Sequence, residues 1–124
     1  MVNRLDELLR FHATALGLRG ERQQLLASNI ANADTPDYKA RDIDFARALK
    51  AALDAPSAPA GQTGIPAGAQ PQVLYRTVQQ PSADGNTVDL DVERAQFAQN
   101  ALRYEANLTF LNGQIKTLLA AIQG

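Results

Sequence analysis

The sequence contains no cysteine and no tryptophan, and it has one histidine and one methionine. Without cysteine, the chain has no disulfide scaffold, no cysteine-ligated metal site and no cysteine nucleophile. Aromatic residues make up only 6% of the 124 positions, although hydrophobic residues together reach 45%. Much of that hydrophobic content is alanine, so a core built on large aromatic side chains is excluded.

The sequence also lacks an excess of charge of either sign. Lysine and arginine number 12, aspartate and glutamate number 13, and the formal net charge is -1. Nucleic-acid binding depends on clustered positive charge, so this balance argues against a nucleic-acid partner. No apolar run reaches the roughly 18–20 residues that a membrane-spanning helix needs, so no direct membrane insertion is expected.

The start of the chain carries charges at Arg4, Asp6, Glu7 and Arg10. These charges interrupt the apolar segment that a cleaved secretory signal requires. The sequence therefore predicts no cleaved signal peptide, and this feature alone indicates a cytoplasmic protein.

The N-terminal segment, residues 3–32, has the apolar spacing of a helix. One apolar stripe consists of Leu5, Leu9, Leu16, Leu26 and Ile30. A second stripe beside it consists of Leu8, Phe11, Ala15, Leu18 and Leu25. Together they form a face wider than one partner helix covers. The helix is expected to end near Asn32, because Pro36 disfavours helical geometry at Thr35.

The middle of the chain is irregular. Residues 34–42 read as a turn followed by an extended piece, and residues 43–53 read as a short helix. The stretch 54–72 holds four prolines and three glycines, which is typical of a flexible loop. Residues 73–78 are strand-like, and after a turn at 84–86 the segment Thr87–Leu90 is expected to pair back as a second strand.

The C-terminal segment, about 90–122, carries a sustained heptad repeat, which is typical of coiled-coil packing. Its predicted core positions are Leu90, Arg94, Phe97, Ala101, Tyr104, Leu108, Leu111, Ile115, Leu118 and Ile122. Asp89 is a candidate N-cap, and the acidic residues after it suit the positive end of the helix dipole. Three further large apolar residues, Leu102, Phe110 and Leu119, lie off this stripe. They also need a packing surface to bury them.

These patterns predict a mainly α fold. Long N- and C-terminal helices, within 1–33 and 90–124, pair as a coiled-coil-like hairpin, and 34–89 forms a short irregular or β middle segment with a flexible loop. Each helix buries one apolar stripe of the other. The second stripe of each helix stays exposed to water unless neighbouring subunits bury it. The alternative is an autonomous helical hairpin or small bundle.

No pattern of catalytic or cofactor-binding residues emerges. His12 lies within an apolar stripe and has no second histidine or cysteine with which to form a triad or a zinc site. The aspartates at 34, 37, 42 and 44 suit turns and helix caps better than a metal site. The segment from Asp84 resembles a calcium loop, but Asp89 occupies the position that requires glycine. We therefore expect no enzyme, no cofactor and no metal.

Two segments resemble a known family. Residues 26–45, LASNIANADTPDYKARDIDF, resemble the N-terminal signature of flagellar axial proteins, the rod, hook and hook-associated subunits. Residues matching the shared motif directly are Asn29, Asn32, Thr35, Pro36 and Tyr38. Residues 84–113 are similar to the C-terminal signature of a proximal rod protein in that family. Asp37 stands where many axial proteins have glycine, which adopts a positive φ at lower cost.

The resemblance implies a structural subunit of the bacterial flagellar basal-body proximal rod. Such subunits self-assemble into the drive shaft that transmits torque and encloses the export channel. They are exported without a cleaved signal to the rod in the periplasmic space, which replaces the cytoplasmic location indicated above. The implied partners are copies of itself, other rod proteins, the ring-to-rod junction protein, the flagellar type III export apparatus and the rod-cap muramidase.

Two alternatives stay open, another proximal rod subunit of the same family and a cytoplasmic helical adaptor or export chaperone. The residues expected to carry packing and assembly are Leu5, Leu9, Leu16, Leu26, Ile30, Phe97, Leu102, Tyr104, Leu108, Phe110, Leu111, Ile115, Leu118 and Leu119.

Overall fold

The computed structural model describes residues 2–55, 71–76 and 82–124. The described elements are α1 (Val2–Ala31), β1 (Arg41–Ile43), α2 (Phe45–Asp54), β2 (Val73–Tyr75) and α3 (Leu90–Gln123). The predicted mainly α fold, with long terminal helices and a short β middle segment, is confirmed. Most of the predicted flexible loop, at 56–70, and the end of the predicted strand, at 77–78, lie outside the described residues.

Side-chain caps define where the helices begin and end. Asp89 caps α3 by accepting hydrogen bonds from the backbone N–H groups of Asp91 and Val92. Asp44 caps α2 in the same way. At the opposite end of α2, Arg10 of α1 donates to the backbone oxygens near Ala55, where a cation suits the helix dipole.

Helices α1 and α3 lie antiparallel and form the hairpin. Asn29, near the end of α1, donates to Glu93 near the start of α3. Toward the start of α1, the His12 ring lies 4.6 Å from the Phe110 ring of α3. Between these contacts, a Cβ built on Gly20 lies 3.9 Å from the Tyr104 ring, so this glycine allows the aromatic side chain to approach α1.

The middle segment contributes a two-stranded antiparallel sheet in which Asp42 of β1 pairs with Leu74 of β2. The predicted second strand at Thr87–Leu90 is wrong. Leu90 begins α3, and Thr87 joins the segment before β1 instead, because it donates to Tyr38 O and accepts from Ala40 N.

The fully buried apolar core is small. Its members are Ala15, Leu18, Leu26, Ala40, Ile43, Ala48 and Ala52. They lie where α1, β1 and α2 meet, and the alanines allow α2 to lie close to α1. The contact between α1 and α3 extends beyond this core, to the ring contact between His12 and Phe110.

Candidate assembly interface

One face of α3 turns toward α1 along nearly the whole helix. Its buried or half-buried residues are Leu90, Glu93, Phe97, Asn100, Tyr104, Asn107, Leu111, Gln114 and Leu118. The spacing alternates between three and four residues, as in a coiled coil. Every second position on this face is polar, so the seam between the helices is amphipathic rather than apolar.

The structure divides the predicted heptad core into two groups. Leu90, Phe97, Tyr104, Leu111 and Leu118 lie on the α1-facing surface, and Ala101 is half-buried beside it. The other predicted positions, Arg94, Leu108, Ile115 and Ile122, lie on the exposed flank. The helix is turned in this way because polar residues on α1 bind Glu93 and Asn100. Asn100, which is fully buried, donates to Arg19 O at 2.8 Å and to Gln23 Oε1 at 2.7 Å.

Several large apolar side chains remain exposed on the helix pair. On α3, Ile122 is 82% exposed, Leu102 is 69% exposed and Leu119 is 50% exposed. The other exposed members are Leu5, Leu8, Phe11, Val92, Leu108, Phe110 and Ile115. Of the remaining predicted packing residues on α1, Leu26 is fully buried and Leu9, Leu16 and Ile30 are half-buried. An assembly role for these residues stays a prediction.

A partly buried network of charges joins both strands to the hairpin. Asp42 of β1 accepts from Arg22 of α1 at 2.9 Å and from Arg76, next to β2, at 2.7 Å. The second Arg76 contact runs from Nε to Oε1 of Glu93 on α3 over 2.9 Å. The N–H does not point at that oxygen, so the contact is an ion pair rather than a hydrogen bond. Two cations and two anions balance, which lets Glu93 be fully buried.

Asn29 connects the same network to the backbone of β1. Its amide donates to Arg41 O at 2.7 Å and to Glu93 Oε2 at 2.9 Å, and its oxygen accepts from Arg41 N at 3.0 Å. This residue of the family motif is fully buried. An aspartate there has no N–H with which to make two of these three hydrogen bonds, so the position depends on an amide.

The two segments that carry the family resemblance form a single clip. The Asn86 amide lies within 3.0 Å of three backbone oxygens, those of Asn32, Ala33 and Thr35, and its own oxygen accepts from Val88 N. Asp37 N donates to Asp84 O across the same gap. The clip fixes the path by which the chain leaves α1.

The remaining motif residues shape the turn inside the clip. Asn32 donates to Ser28 O and closes the end of α1, and its own oxygen accepts from the Thr35 hydroxyl. Tyr38 shares a hydrogen bond with Ser28, and Pro36 is exposed. Asp37 has φ 63°, the left-handed conformation that glycine adopts more readily.

Arginine side chains crowd one part of the hairpin. The Arg19 guanidinium lies 4.0 Å from the centre of the Phe45 ring, in a cation–π contact. Burial, and then the neighbouring charges of Arg103 and Arg22, hold the pKa of Arg19 below its usual value. The Nε and Nη1 atoms of Arg19 are inaccessible and have no hydrogen-bond partner among the described residues.

Sequence reasoning missed the polar residues that organise this interface. Glu93 and Asn100 were hidden because the heptad was assigned to Arg94 and Ala101, the residues one position after them. A signal was present, since polar residues recur every seventh position at Glu93, Asn100, Asn107 and Gln114. Asp42 and Arg76 carried no such signal, because only the sheet brings them together.

Within residues 2–55, 71–76 and 82–124, no group of three or more metal-ligating side chains comes together. Among the helices described, none is long and apolar enough to span a membrane. The described arrangement consists of packing surfaces, hydrogen bonds and ion pairs.

Comparisons with known proteins agree with the resemblance in the sequence. A family model described as "Flagella basal body rod protein" matches residues 9–39. The flagellar basal body rod protein FlgB of Salmonella typhimurium is 50% identical, over 100% of this chain and 99% of its own length. The Escherichia coli FlgB is 50% identical over 99% of this chain and 98% of its own. That of Cereibacter sphaeroides is 50% identical over 94% of each.

Proposed function

The chain belongs to the family of flagellar basal body rod proteins, and on that basis we propose that it is a subunit of the proximal rod. The proximal rod is the part of the drive shaft nearest the inner-membrane ring. In this proposal the subunit transmits torque by rigid helix packing and helps to enclose the export channel. The family is structural, and the proposed role needs no chemical step.

The exposed apolar flank of α3 carries this proposal. Leu108, Ile115 and Ile122 follow one another at seven-residue spacing along α3, beside the face that binds α1. Burying a large aliphatic side chain stabilises a contact by about 1.5–3 kcal/mol. A flank with this spacing suits a second helix from a neighbouring subunit, which covers it by coiled-coil packing.

The buried charges and the clip supply the rigidity that torque transmission requires. The Asp42–Arg76–Glu93 chain of contacts ties the sheet to α3, and Arg22 ties it to α1. The clip around Asn86 closes the gap between the end of α1 and the segment before α3. A load on the middle segment therefore passes to both helices.

The proposed partners are copies of this chain, other rod proteins and the ring-to-rod junction protein. The flagellar type III export apparatus is the proposed partner on the way to the rod, and the rod-cap muramidase is a further proposed neighbour during growth. These partners come from the family membership. The described residues supply the surfaces on which the partners would pack.

The proposal is tested by quantifying this chain in purified, detergent-extracted basal bodies by mass spectrometry. We expect several copies per basal body that resist washing. Ile115→Asp is expected to leave the purified chain helical by circular dichroism but to remove it from basal bodies, because a charge replaces an apolar contact. Thr109→Asp, at an exposed polar position on α3, is the matched control and is expected to assemble.

Two outcomes would contradict the proposal. One is a chain that stays soluble in the cytoplasm and never enters basal bodies, which would favour a helical adaptor or export chaperone. The other is normal incorporation of the Ile115→Asp variant, which would show that the exposed flank of α3 is not an assembly surface.

A further inference from the structure

The arginine cluster on the hairpin lacks a neutralising carboxylate. Asn100 of α3 donates to Arg19 O at 2.8 Å, and Arg103 follows Asn100 by three residues, so the two arginines lie at the same level of the α1–α3 seam. The charge of Arg103 also contributes to the lowered pKa of Arg19. Asp42 and Glu93 are occupied by Arg22 and Arg76. No ion pair within the described residues involves Arg19 or Arg103. An unneutralised pair of this kind, in a chain whose formal net charge is -1, favours contact with an outside anion.

The position of Arg103 on α3 follows from its heptad neighbours. Gln96, seven residues before it, accepts from Arg22 of α1, and Phe110, seven residues after it, contacts His12 of α1. Arg103 therefore lies along the same flank of α3, opposite Arg19, and its side chain is exposed. It supplies accessible N–H donors, and Arg19 behind it supplies a second positive charge.

A candidate carboxylate lies at the same level of α3 on its opposite side. Glu105 follows Arg103 by two residues, which is a rotation of about 200° around a helix and a rise of about 3 Å. Glu105 is exposed and forms none of the ion pairs found within the described residues. It points away from α1, and so away from the arginines of its own chain.

We propose that Glu105 of one copy of this chain binds Arg103 of the next copy, where Arg19 behind it adds a second positive charge. The inference rests on the proposed assembly of the chain into a rod. The two flanks of α3 then join neighbouring copies side by side, with a cationic flank facing an anionic one. Because the two surfaces differ, the contact is heterologous, and such contacts continue from subunit to subunit around a ring or helix.

The lack of cysteine in the chain allows a direct proximity test. Arg103→Cys and Glu105→Cys chains are produced together in a flagellated species from which the chromosomal copy of the gene has been deleted. Purified basal bodies are then treated with a short bis-maleimide. We expect a cross-linked dimer only when both variants are present. Thr109→Cys, at an exposed polar position on the back of α3, replaces Arg103→Cys in the matched control and is expected to give no dimer with Glu105→Cys.

Charge exchange provides a second readout that does not depend on the cross-linker. Arg103→Glu and Glu105→Arg alone are each expected to lower the amount of chain per basal body about fivefold, which corresponds to about 1 kcal/mol. The double variant is expected to recover most of the loss, because each flank then meets the opposite charge again.

The two readouts separate this inference from the proposed function. If the cysteine variants enter basal bodies without forming the dimer, the Glu105 contact is refuted while rod membership stands. If the cysteine variants do not enter basal bodies, the charge exchange decides. A double variant no better than either single variant refutes the contact, and recovery supports it. Absence of the unaltered chain from basal bodies refutes the proposed function itself.

Discussion

Arg76 Nε lies 2.9 Å from Oε1 of Glu93, a side chain only 1% exposed to solvent. This ion pair joins the residue after β2 to the first turn of α3. Its position explains why a glutamate occupies the seam of a helical hairpin. The other carboxylate oxygen, Oε2, accepts a hydrogen bond from Asn29 of α1, so each oxygen has a partner from a different element. Burial is tolerated because the charge has a partner on each side.

Removing this charge is expected to destabilise the chain. Glu93→Gln keeps the size of the side chain but leaves Arg76 with Asp42 alone, and we expect the free energy of unfolding to fall by about 3 kcal/mol. Urea unfolding followed by circular dichroism at 222 nm measures it. Glu7→Gln, at an exposed position on α1, is the control and is expected to change stability by no more than about 0.5 kcal/mol. Equal effects of the two substitutions would refute the role of the buried pair.

The clip is expected to depend on the amide of Asn86. In Asn86→Asp, a carboxylate of the same shape faces the three backbone oxygens that the amide now binds, so repulsion adds to the lost hydrogen bonds. We expect a loss of about 3 kcal/mol, and about 2 kcal/mol for Asn86→Ala, which removes the bonds without adding charge. Hydrogen exchange at Asp37 N–H and Thr87 N–H reports the opening of the clip. Unchanged exchange rates in the aspartate variant would contradict this account.

Two glycines provide a matched pair of substitutions. Gly85 has φ 78°, and a Cβ there would lie 2.6 Å from Asp37 Oδ1, so we expect Gly85→Ala to cost about 1–2 kcal/mol. Gly113 lies within α3, and an added Cβ there would have no neighbour within 4 Å. We therefore expect Gly113→Ala to raise the free energy of unfolding by about 1 kcal/mol. Thermal unfolding of both variants tests the contrast.

The cost of Gly85→Ala has two contributions, crowding by the Asp37 side chain and the positive φ, and a double variant separates them. In an Asp37→Gly background the side chain that crowds Gly85 is absent, so Gly85→Ala is expected to cost less than in the unaltered chain. The same cost in both backgrounds would show that the positive φ alone opposes alanine.

The Asp84 carboxyl is expected to titrate at unusually low pH. A hydrogen bond from the Ser82 hydroxyl, and then one from Asn86 N, hold the pKa of Asp84 below its ordinary value of 3.8. Because the folded state favours the ionised form, the stability that it adds is present above about pH 4 and is lost as the pH falls through the folded pKa. An NMR titration of the carboxyl carbon gives the midpoint, and Ser82→Ala is expected to raise it. A midpoint unchanged by Ser82→Ala would contradict this cause.

The long helices and their coiled-coil-like pairing follow from local patterns. The apolar stripe through Leu16 and Leu26 and the heptad through Phe97 and Leu111 are periodic along the chain, so the sequence alone determines the helices and approximately which faces meet. The caps at Asp44 and Asp89 are equally local, because each acts within its own helical turn. The family resemblance was also carried by contiguous residues, and with it the rod function.

Only the tertiary structure decided how far α3 is turned on α1, and which residues share charges. Asp42, Arg76 and Glu93 lie far apart along the chain, and no periodic pattern connects them. Glu93 and Asn100 face α1 because their partners are there, although the predicted heptad placed Arg94 and Ala101 in the core instead. Likewise, Thr87 binds the segment around Tyr38 instead of forming a hairpin with nearby residues. Local pattern fixes an element, but long-range polar pairing fixes its rotation and partners, since a buried polar group requires its complement wherever the chain supplies it.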